Sequence, residues 1–436
     1  MVTQQLSLRL GSPARNLELG LLCAAAGLVV LGWRSLEVAG SPLPSGTSRI
    51  VTQFLLTAFA GNVALRAAAP RATPALYPAA MVLAAIGLIA TLRLAPSAAE
   101  DQVRWISLGV ALMAAAAAMG SRARLLQRLT YTSGALAVAI LFATGAFGTT
   151  LNGARLWVSL GGQLVQTTEL IKVLLVLFFA GFLAGEGRAL ERVSTSFGGR
   201  TYSALPALVP LLLVLGVVLG TLALLKDLGS VALLLALTVA AAMLATGRAW
   251  LAVAGAVLLF IAGSLGYVAF DHVQERIDTW RDPYADPLGS GYQTLQSTYA
   301  IQSGGVTGEG WGRGTAERIP AAATDYVFSG IAEALGVAGA AGLIGLYAAI
   351  GFVGLRVARD ASSAYERLVA ALSMLLICIQ AAIIIAGNLR LVPTTGITLP
   401  FVSYGGSSLV VNFVLVGIVL AISASRHEAG ARPSRP

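Results

Sequence analysis

Residues 205–246 read LPALVPLLLVLGVVLGTLALLKDLGSVALLLALTVAAAMLAT, an apolar sequence whose only charges are the adjacent Lys226 and Asp227. A helix rises about 1.5 Å per residue and a bilayer core is about 30 Å thick, so one crossing takes about 20 apolar residues. The stretch therefore reads as two membrane spans, near 204–225 and 228–246, with almost no linker between them. Similar runs lie outward on both sides, near 17–36, 49–67, 76–95, 104–120, 130–149, 168–185, 249–270, 326–355, 366–387 and 407–425. Hydrophobic residues make up 57% of the 436 and charged residues 11%, with a mean hydropathy of +0.80. A water-soluble domain of that size needs far more polar surface. The expected fold class is all-α, a polytopic membrane protein of about twelve transmembrane helices with one long polar loop over 271–325.

Twelve spans put both termini on one side. The short segments carrying Arg9/Arg15, Arg66/Arg71, Arg122/Arg124/Arg128, Arg188/Arg192/Arg200, Arg248, Arg356/Arg359/Arg367 and Arg426/Arg432/Arg435 then share that side, which the positive-inside rule makes the cytoplasm. The spans come from hydropathy alone, so the charge agreement is an independent check. It also accounts for the net charge of +9 without nucleic acid, because the arginines are dispersed beside spans rather than gathered in a stripe. The opposite, extracytoplasmic side receives Asn152–Thr168, the Lys226-Asp227 corner, the 271–325 loop and Asn388–Ser408. A loop of about 55 residues exceeds an ordinary connector and is usually functional. The expected organisation is an N-terminal transmembrane region 1–128, a core 129–425 holding the loop, and a polar cytoplasmic tail 426–436. No short apolar run with a small-residue cleavage site opens the chain, so no removable signal peptide is expected. Cys23 and Cys378 sit in apolar runs as small core residues, and the isolated His272 and His427 offer no metal cluster.

Five stretches carry the chemistry. In Gln166-Thr167-Thr168-Glu169-Leu170-Ile171-Lys172 the acid and the base are three apart and share a helix face, where they can pair. Charges within a span are costly unless paired or facing a polar cavity, so this pair is either a structural lock or part of a substrate cavity. Lys226-Asp227 sets a cation beside an acid, suited to a diphosphate or to snorkelling at the interface. Lys172 and Lys226 are the only lysines in the chain. In the long loop, Asp278, Asp282 and Asp286 recur every fourth residue, but Pro283 and Pro287 argue against a continuous helix and for turn caps. The glycines 304, 305, 308, 310, 312 and 314 precede no Gly-Lys-Ser/Thr, so they are no nucleotide loop and are read as close backbone packing. Asp325 stands where the polar loop meets the apolar Tyr326-Val327-Phe328. Partial desolvation there raises a carboxylate's pKa and suits it to proton abstraction, with capping of the following helix as the other role open to it. Asn388–Ser408, rich in proline and glycine, reads as a broken re-entrant segment walling the site.

These stretches together resemble the SEDS family, the FtsW/RodA/SpoVE proteins. The resemblance rests on Arg155, Trp157, Gln166-x-x-Glu169-x-x-Lys172, Asp227-Leu228-Gly229, Trp280-x-Asp282-Pro283, Gly291-Tyr292-Gln293, Gln296-Ser297, Ser303-Gly304-Gly305, Thr324-Asp325, Glu333, Pro393-Thr394-Thr395-Gly396 and Pro400-x-x-Ser403-Tyr404-Gly405-Gly406-Ser407-Ser408. It covers roughly 150–425. It implies a peptidoglycan glycosyltransferase in the bacterial cytoplasmic membrane, polymerising lipid II at the outer face beside a class B penicillin-binding protein. Asp325 then matches the essential loop aspartate, a general base toward the acceptor sugar hydroxyl. Undecaprenyl diphosphate is the leaving group. Lys172, Lys226, Arg155 and Arg390 are candidates to neutralise the diphosphates, Glu169 pairs with Lys172, and Asp227 belongs to the substrate-binding corner. No cofactor is required by the residues, and a role for a divalent cation stays open.

The chain also departs from the family pattern. Ala322 and Ala323 replace the usual acid and His before Thr-Asp, Thr167 and Lys226 stand where proline is common, and only Glu333 remains of an acidic pair. The two spans beyond the usual ten fall before residue 104, as in longer RodA-like members of actinobacterial type. A lipid II flippase, or a non-catalytic scaffold for the penicillin-binding protein, are the competing functions. Clustering of the special residues on one face favours polymerisation over alternating access.

Overall fold

The computed structural model describes residues 13–151, 154–192 and 205–430. Its helices are α1 (Pro13–Val38), α2 (Thr47–Ala68), α3 (Leu76–Leu94), α4 (Ala99–Ala117), α5 (Thr130–Phe147), α6 (Thr167–Arg192), α7 (Leu205–Leu224), α8 (Leu228–Thr246), α9 (Trp250–Ala269), α10 (Asp271–Arg281), α11 (Tyr292–Ser303), α12 (Val327–Arg359), α13 (Ala364–Asn388) and α14 (Gly406–Gly430). Among the described residues ten helices are long and apolar enough to cross a membrane. The other two expected spans are α4 and α7. Helix α4 opens on Glu100, Asp101 and Arg104, which pair with one another on the surface at 2.6 and 3.2 Å and lower its hydropathy. The chain is a multi-pass membrane protein.

Burial sorts the helices into an inner and an outer set. Helices α3, α6, α13 and α14 are mostly enclosed by their neighbours, whereas α9 is almost wholly uncovered and exposes Val253, Phe260, Leu265 and Val268. An apolar exterior is what lipid requires, because the hydrocarbon core cannot solvate polar side chains.

Two features depart from an all-helix reading. The segment after α5 forms a three-stranded antiparallel sheet, β1 (Thr149–Leu151), β2 (Ala154–Leu160) and β3 (Gln163–Gln166), with Trp157 opposite Gln166. In addition, α12 is broken at Gly336, whose φ of 66° and ψ of −169° are open essentially only to glycine. A break inside a bundle strands backbone groups. Here the glycine-rich segment meets them: Glu309 and Gly310 donate to the carbonyls of Glu333 and Ala334 at 3.0 and 2.9 Å. Val337 and Ala338 donate to Gly305 and Val306 at 2.9 and 3.2 Å. The close packing expected of the glycines is this contact, and a Cβ on Gly308 would come within 2.2 Å of Ala334 O.

The buried Glu333 pins the same segment. It accepts from Arg93 of α3 at 2.6 Å and from the backbone N–H groups of Thr315 and Ala316 at 2.7 and 3.0 Å. Of the three spaced acids, Asp282 and Asp286 cap turns at Tyr284 and Gly289, while Asp278 stays on α10 and accepts from Tyr267. Helix α14 extends to Gly430, so the helix covers the first residues of the expected tail. Arg9, Arg200, Arg432 and Arg435 lie outside the described residues.

Candidate functional site

Helix α10 and the irregular segment after α13 build the site between them. Arg276 on α10 donates to Thr394 O at 2.8 Å. One turn on, Trp280 Nε1 donates to Arg390 O at 2.9 Å and Arg390 returns a bond to Trp280 O at 3.2 Å. These bonds fix residues 390–396 against α10. On the far side, Asn388 donates to Asp325 O at 2.9 Å, Ser403 Oγ to Thr324 O at 2.5 Å, and Tyr404 N to Ala323 O at 2.8 Å. The backbone around Asp325 is thus tied at three successive carbonyls to a segment more than sixty residues away. The irregular segment 388–404 thus packs as a wall against Asp325.

The result is a cavity of about 250 Å³ lined by residues that include Trp157, Gln166, Lys226, Asp227, Arg276 and Asp325. Thr395, Gly396, Thr398 and Tyr404 to Ser408 contribute most of the remaining wall. Gly396 has a φ of +72°, and a Cβ there would lie 3.5 Å from Arg276 Nη2 and 3.7 Å from Asp325 Oδ2. That glycine therefore sits between the cation and the acid. Among the described residues four non-glycines adopt left-handed φ: Lys226, Ala321, Arg390 and Phe401. Two line the cavity and two lie in the segment behind it, backbone strain of about 1–3 kcal/mol each concentrated at one place.

Asp325 is half-buried, and loss of water pushes its carboxyl pKa up. The neighbouring Thr324 hydroxyl and the Arg276 charge oppose that rise without cancelling it. A proton-accepting carboxylate of raised basicity beside a fixed cation can deprotonate a hydroxyl while an anion is held nearby.

The expected site residues separate into three groups. Asp325, Lys226 and Asp227 all line the cavity, although Asp227 is largely committed as the cap of α8, accepting from Ser230 N and Oγ at 3.0 and 2.7 Å. Arg155 lies in a second, adjoining groove with Thr150 and Leu224, joined to the first at Lys226. Glu169 and Lys172, by contrast, lie beneath the floor rather than in its wall. They pair at 2.8 Å with almost no exposure, and Lys172 also donates to Gln380 Oε1 at 3.1 Å. Gln380 in turn donates to Thr398 O at 2.7 Å, which links the pair to the lining. Arg390 is not among the lining residues and donates from Nη2 to Trp280 O. Sequence reasoning missed Arg276 and Gln380. Arg276 was one arginine in a polar loop, and only its contact with Thr394 distinguishes it. Ala322 and Ala323 are buried and bring no acid or His to Asp325. Among the described residues no three His, Cys, Asp or Glu side chains gather as a metal site.

A multi-pass helical bundle with one strained, cation-lined cavity at the end where its long polar segment folds back is the class that the fold and site define. The family model for FtsW, RodA and SpoVE, described as "Cell cycle protein", matches residues 73–428. The chain belongs to that family. It is 34% identical to the peptidoglycan glycosyltransferase RodA of Mycobacterium tuberculosis, covering 96% of this chain and 92% of that one. A probable peptidoglycan glycosyltransferase FtsW of Synechocystis is 32% identical, covering 67% and 72%. Among solved structures, a chain of a peptidoglycan synthase complex that coordinates polymerization and crosslinking aligns with a TM-score of 0.64 at 27% identity, covering 81% of this chain and 98% of that one. The Thermus thermophilus rod shape determining protein RodA aligns at 0.57 and 26%, covering 81% and 96%. The mycobacterial relative thus spans more of this chain than the solved structures do, in line with a longer member of the family.

Proposed function

We propose that this chain is a peptidoglycan glycosyltransferase that polymerises lipid II at the extracytoplasmic face of the bacterial cytoplasmic membrane. The observation that carries the reading is Asp325, a carboxylate of raised pKa beside Arg276, in a cavity that Lys226 and several of the family's motifs also line. In this scheme Asp325 takes the proton from the acceptor sugar hydroxyl as that oxygen bonds to the anomeric carbon of the donor. The bond from that carbon to the diphosphate breaks, and undecaprenyl diphosphate leaves with the electron pair. Lys226 and Arg276 hold diphosphate charge in the cavity, and Arg155 does so in the adjoining groove. The Glu169–Lys172 pair supports the floor through Gln380. The arginine distribution supports cytoplasmic termini and an outward-facing cavity. Organisation as a region 1–128 before a core 129–425 is part of the same proposal, as is a class B penicillin-binding protein as partner, which the likeness to a synthase complex supports.

The test is incubation of the purified chain, with its partner, with labelled lipid II. Glycan strands are expected from the wild type and none from Asp325→Ala. Wild-type protein that makes no strands yet moves lipid II between leaflets would establish a transporter instead. Binding of the partner without either activity would establish a scaffold.

A further inference from the structure

At the end of the bundle opposite Asp325 lies a cavity of about 460 Å³ that the proposed reaction does not use. It sits between the α2–α3 connection, the C-terminal end of α12 and the C-terminal end of α14. Val353, Val357 and Ile422 supply an apolar wall continuous with the spans, and Arg71 and Arg356 supply its charge. Both arginines are exposed, and neither meets a carboxylate among the described residues. Arg356 lies 5.6 Å from the ring of Phe352, itself exposed on the outer surface of α12. Asp360 lines the cavity too, and it accepts from Arg359 at 3.4 Å.

The pocket is built rather than incidental. Buried Arg15 donates to the carbonyls of Ala72 and Thr73, and Thr73 N donates to Ser423 Oγ of α14 at 3.0 Å. The connection that carries Arg71 is therefore held in shape from beneath and from the side. Helix α3 opens at this same cavity with no side-chain cap, which adds positive potential to that of the arginines.

We infer that this cavity is a binding site for an anionic phospholipid, with the phosphodiester between Arg71 and Arg356 and the glycerol and acyl portion along Val353, Val357 and Ile422. A soluble anion would use the arginines but not the apolar wall; a lipid at the end of its spans uses both. Basic pockets between helix ends recognise lipid phosphate in this way. The arginine-rich side of the bundle assigns the site to the cytoplasmic leaflet. It stands independently of the glycosyltransferase reading.

The experiment places the full chain in nanodiscs of equal phosphatidylglycerol and phosphatidylcholine and reads the retained lipid by native mass spectrometry after release. The wild type is expected to retain phosphatidylglycerol in preference. Arg71→Gln and Arg356→Gln are each expected to lower that enrichment about fivefold, and the two together about 25-fold. Val357→Trp, which fills the cavity and leaves the charges, is expected to abolish retention. Arg122→Gln, an exposed arginine outside the cavity, is expected to change nothing. Thermal melting identifies any variant that fails to fold. No enrichment in the wild type overturns the inference, as does an equal loss in Arg122→Gln. Inorganic phosphate binding to lipid-free protein through the same two arginines, without phospholipid enrichment, would make it a soluble-anion site instead.

Discussion

Replacing Glu333 by alanine tests whether the long polar segment is held by a buried charge or only by the backbone pairing at Gly336. The Glu333 side chain is fully buried and that of Arg93 is 1% exposed, with 2.6 Å between them. The same carboxylate accepts from Thr315 N at 2.7 Å and Ala316 N at 3.0 Å. Removing one partner of a buried ion pair costs about 3–5 kcal/mol, because the other charge stays buried. Two stranded N–H groups would add about 1–3 kcal/mol each if nothing relaxed. Relaxation is available: Glu317 is half-exposed, with Oε1 already 4.0 Å from Arg93 Nε, and can turn toward it. The expected loss for Glu333→Ala is therefore about 3–5 kcal/mol in total. Glu333→Gln keeps an acceptor and should lose about 1–3 kcal/mol. Equilibrium unfolding in mixed micelles, followed by tryptophan fluorescence, measures both. Arg93→Met combined with Glu333→Leu strands no charge, so the pair should cost less than the sum of Arg93→Met and Glu333→Leu by at least about 1 kcal/mol. A cost below about 1 kcal/mol for Glu333→Ala, or strict additivity of the pair, would refute the argument.

Four further outcomes follow from the site and its frame. Asp325→Asn should abolish strand formation while raising stability slightly at neutral pH. The fold favours the protonated acid, so this group's contribution is complete below the ordinary carboxylate value near 3.9 and is lost as pH rises through the raised folded value. By the same sign, wild-type polymerisation should increase with pH through a midpoint above that ordinary range, read from a pH–rate profile. Gly336→Ala places a Cβ 2.4 Å from Gly308 N at a φ of +66°. It should cost at least about 1–3 kcal/mol and expose the 304–314 segment to limited proteolysis. Gln380→Leu removes an acceptor from buried Lys172 and a donor from Thr398 O. It should cost about 1–3 kcal/mol and slow polymerisation without touching a lining residue, as an assay of the purified variant would show.

Much of the candidate site was legible because its signals are local. Asp325 is marked by its place at a polar-to-apolar boundary, and Glu169 and Lys172 by a three-residue spacing that puts them on one helix face. Turn caps at Asp282 and Asp286 follow from the prolines beside them. The break in α12 was not legible, because its flanking residues are as apolar as any span and a single glycine there carries no periodic signal. Arg276 was hidden among other loop charges, and nothing in the spacing of Glu169 and Lys172 distinguishes a cavity wall from the layer below it.

Sequence alone determined that the chain is a multi-pass membrane protein and where its long apolar helices lie, because about 20 apolar residues in lipid have little choice but to close their hydrogen bonds as a helix. Only the tertiary structure decided which polar groups meet. Lys226, Arg276, Asp325 and Gly396 come from four separate stretches. Their convergence depends on bonds such as Asn388 to Asp325 O and Arg276 to Thr394 O, between residues far apart in sequence, and no local propensity encodes a contact of that range.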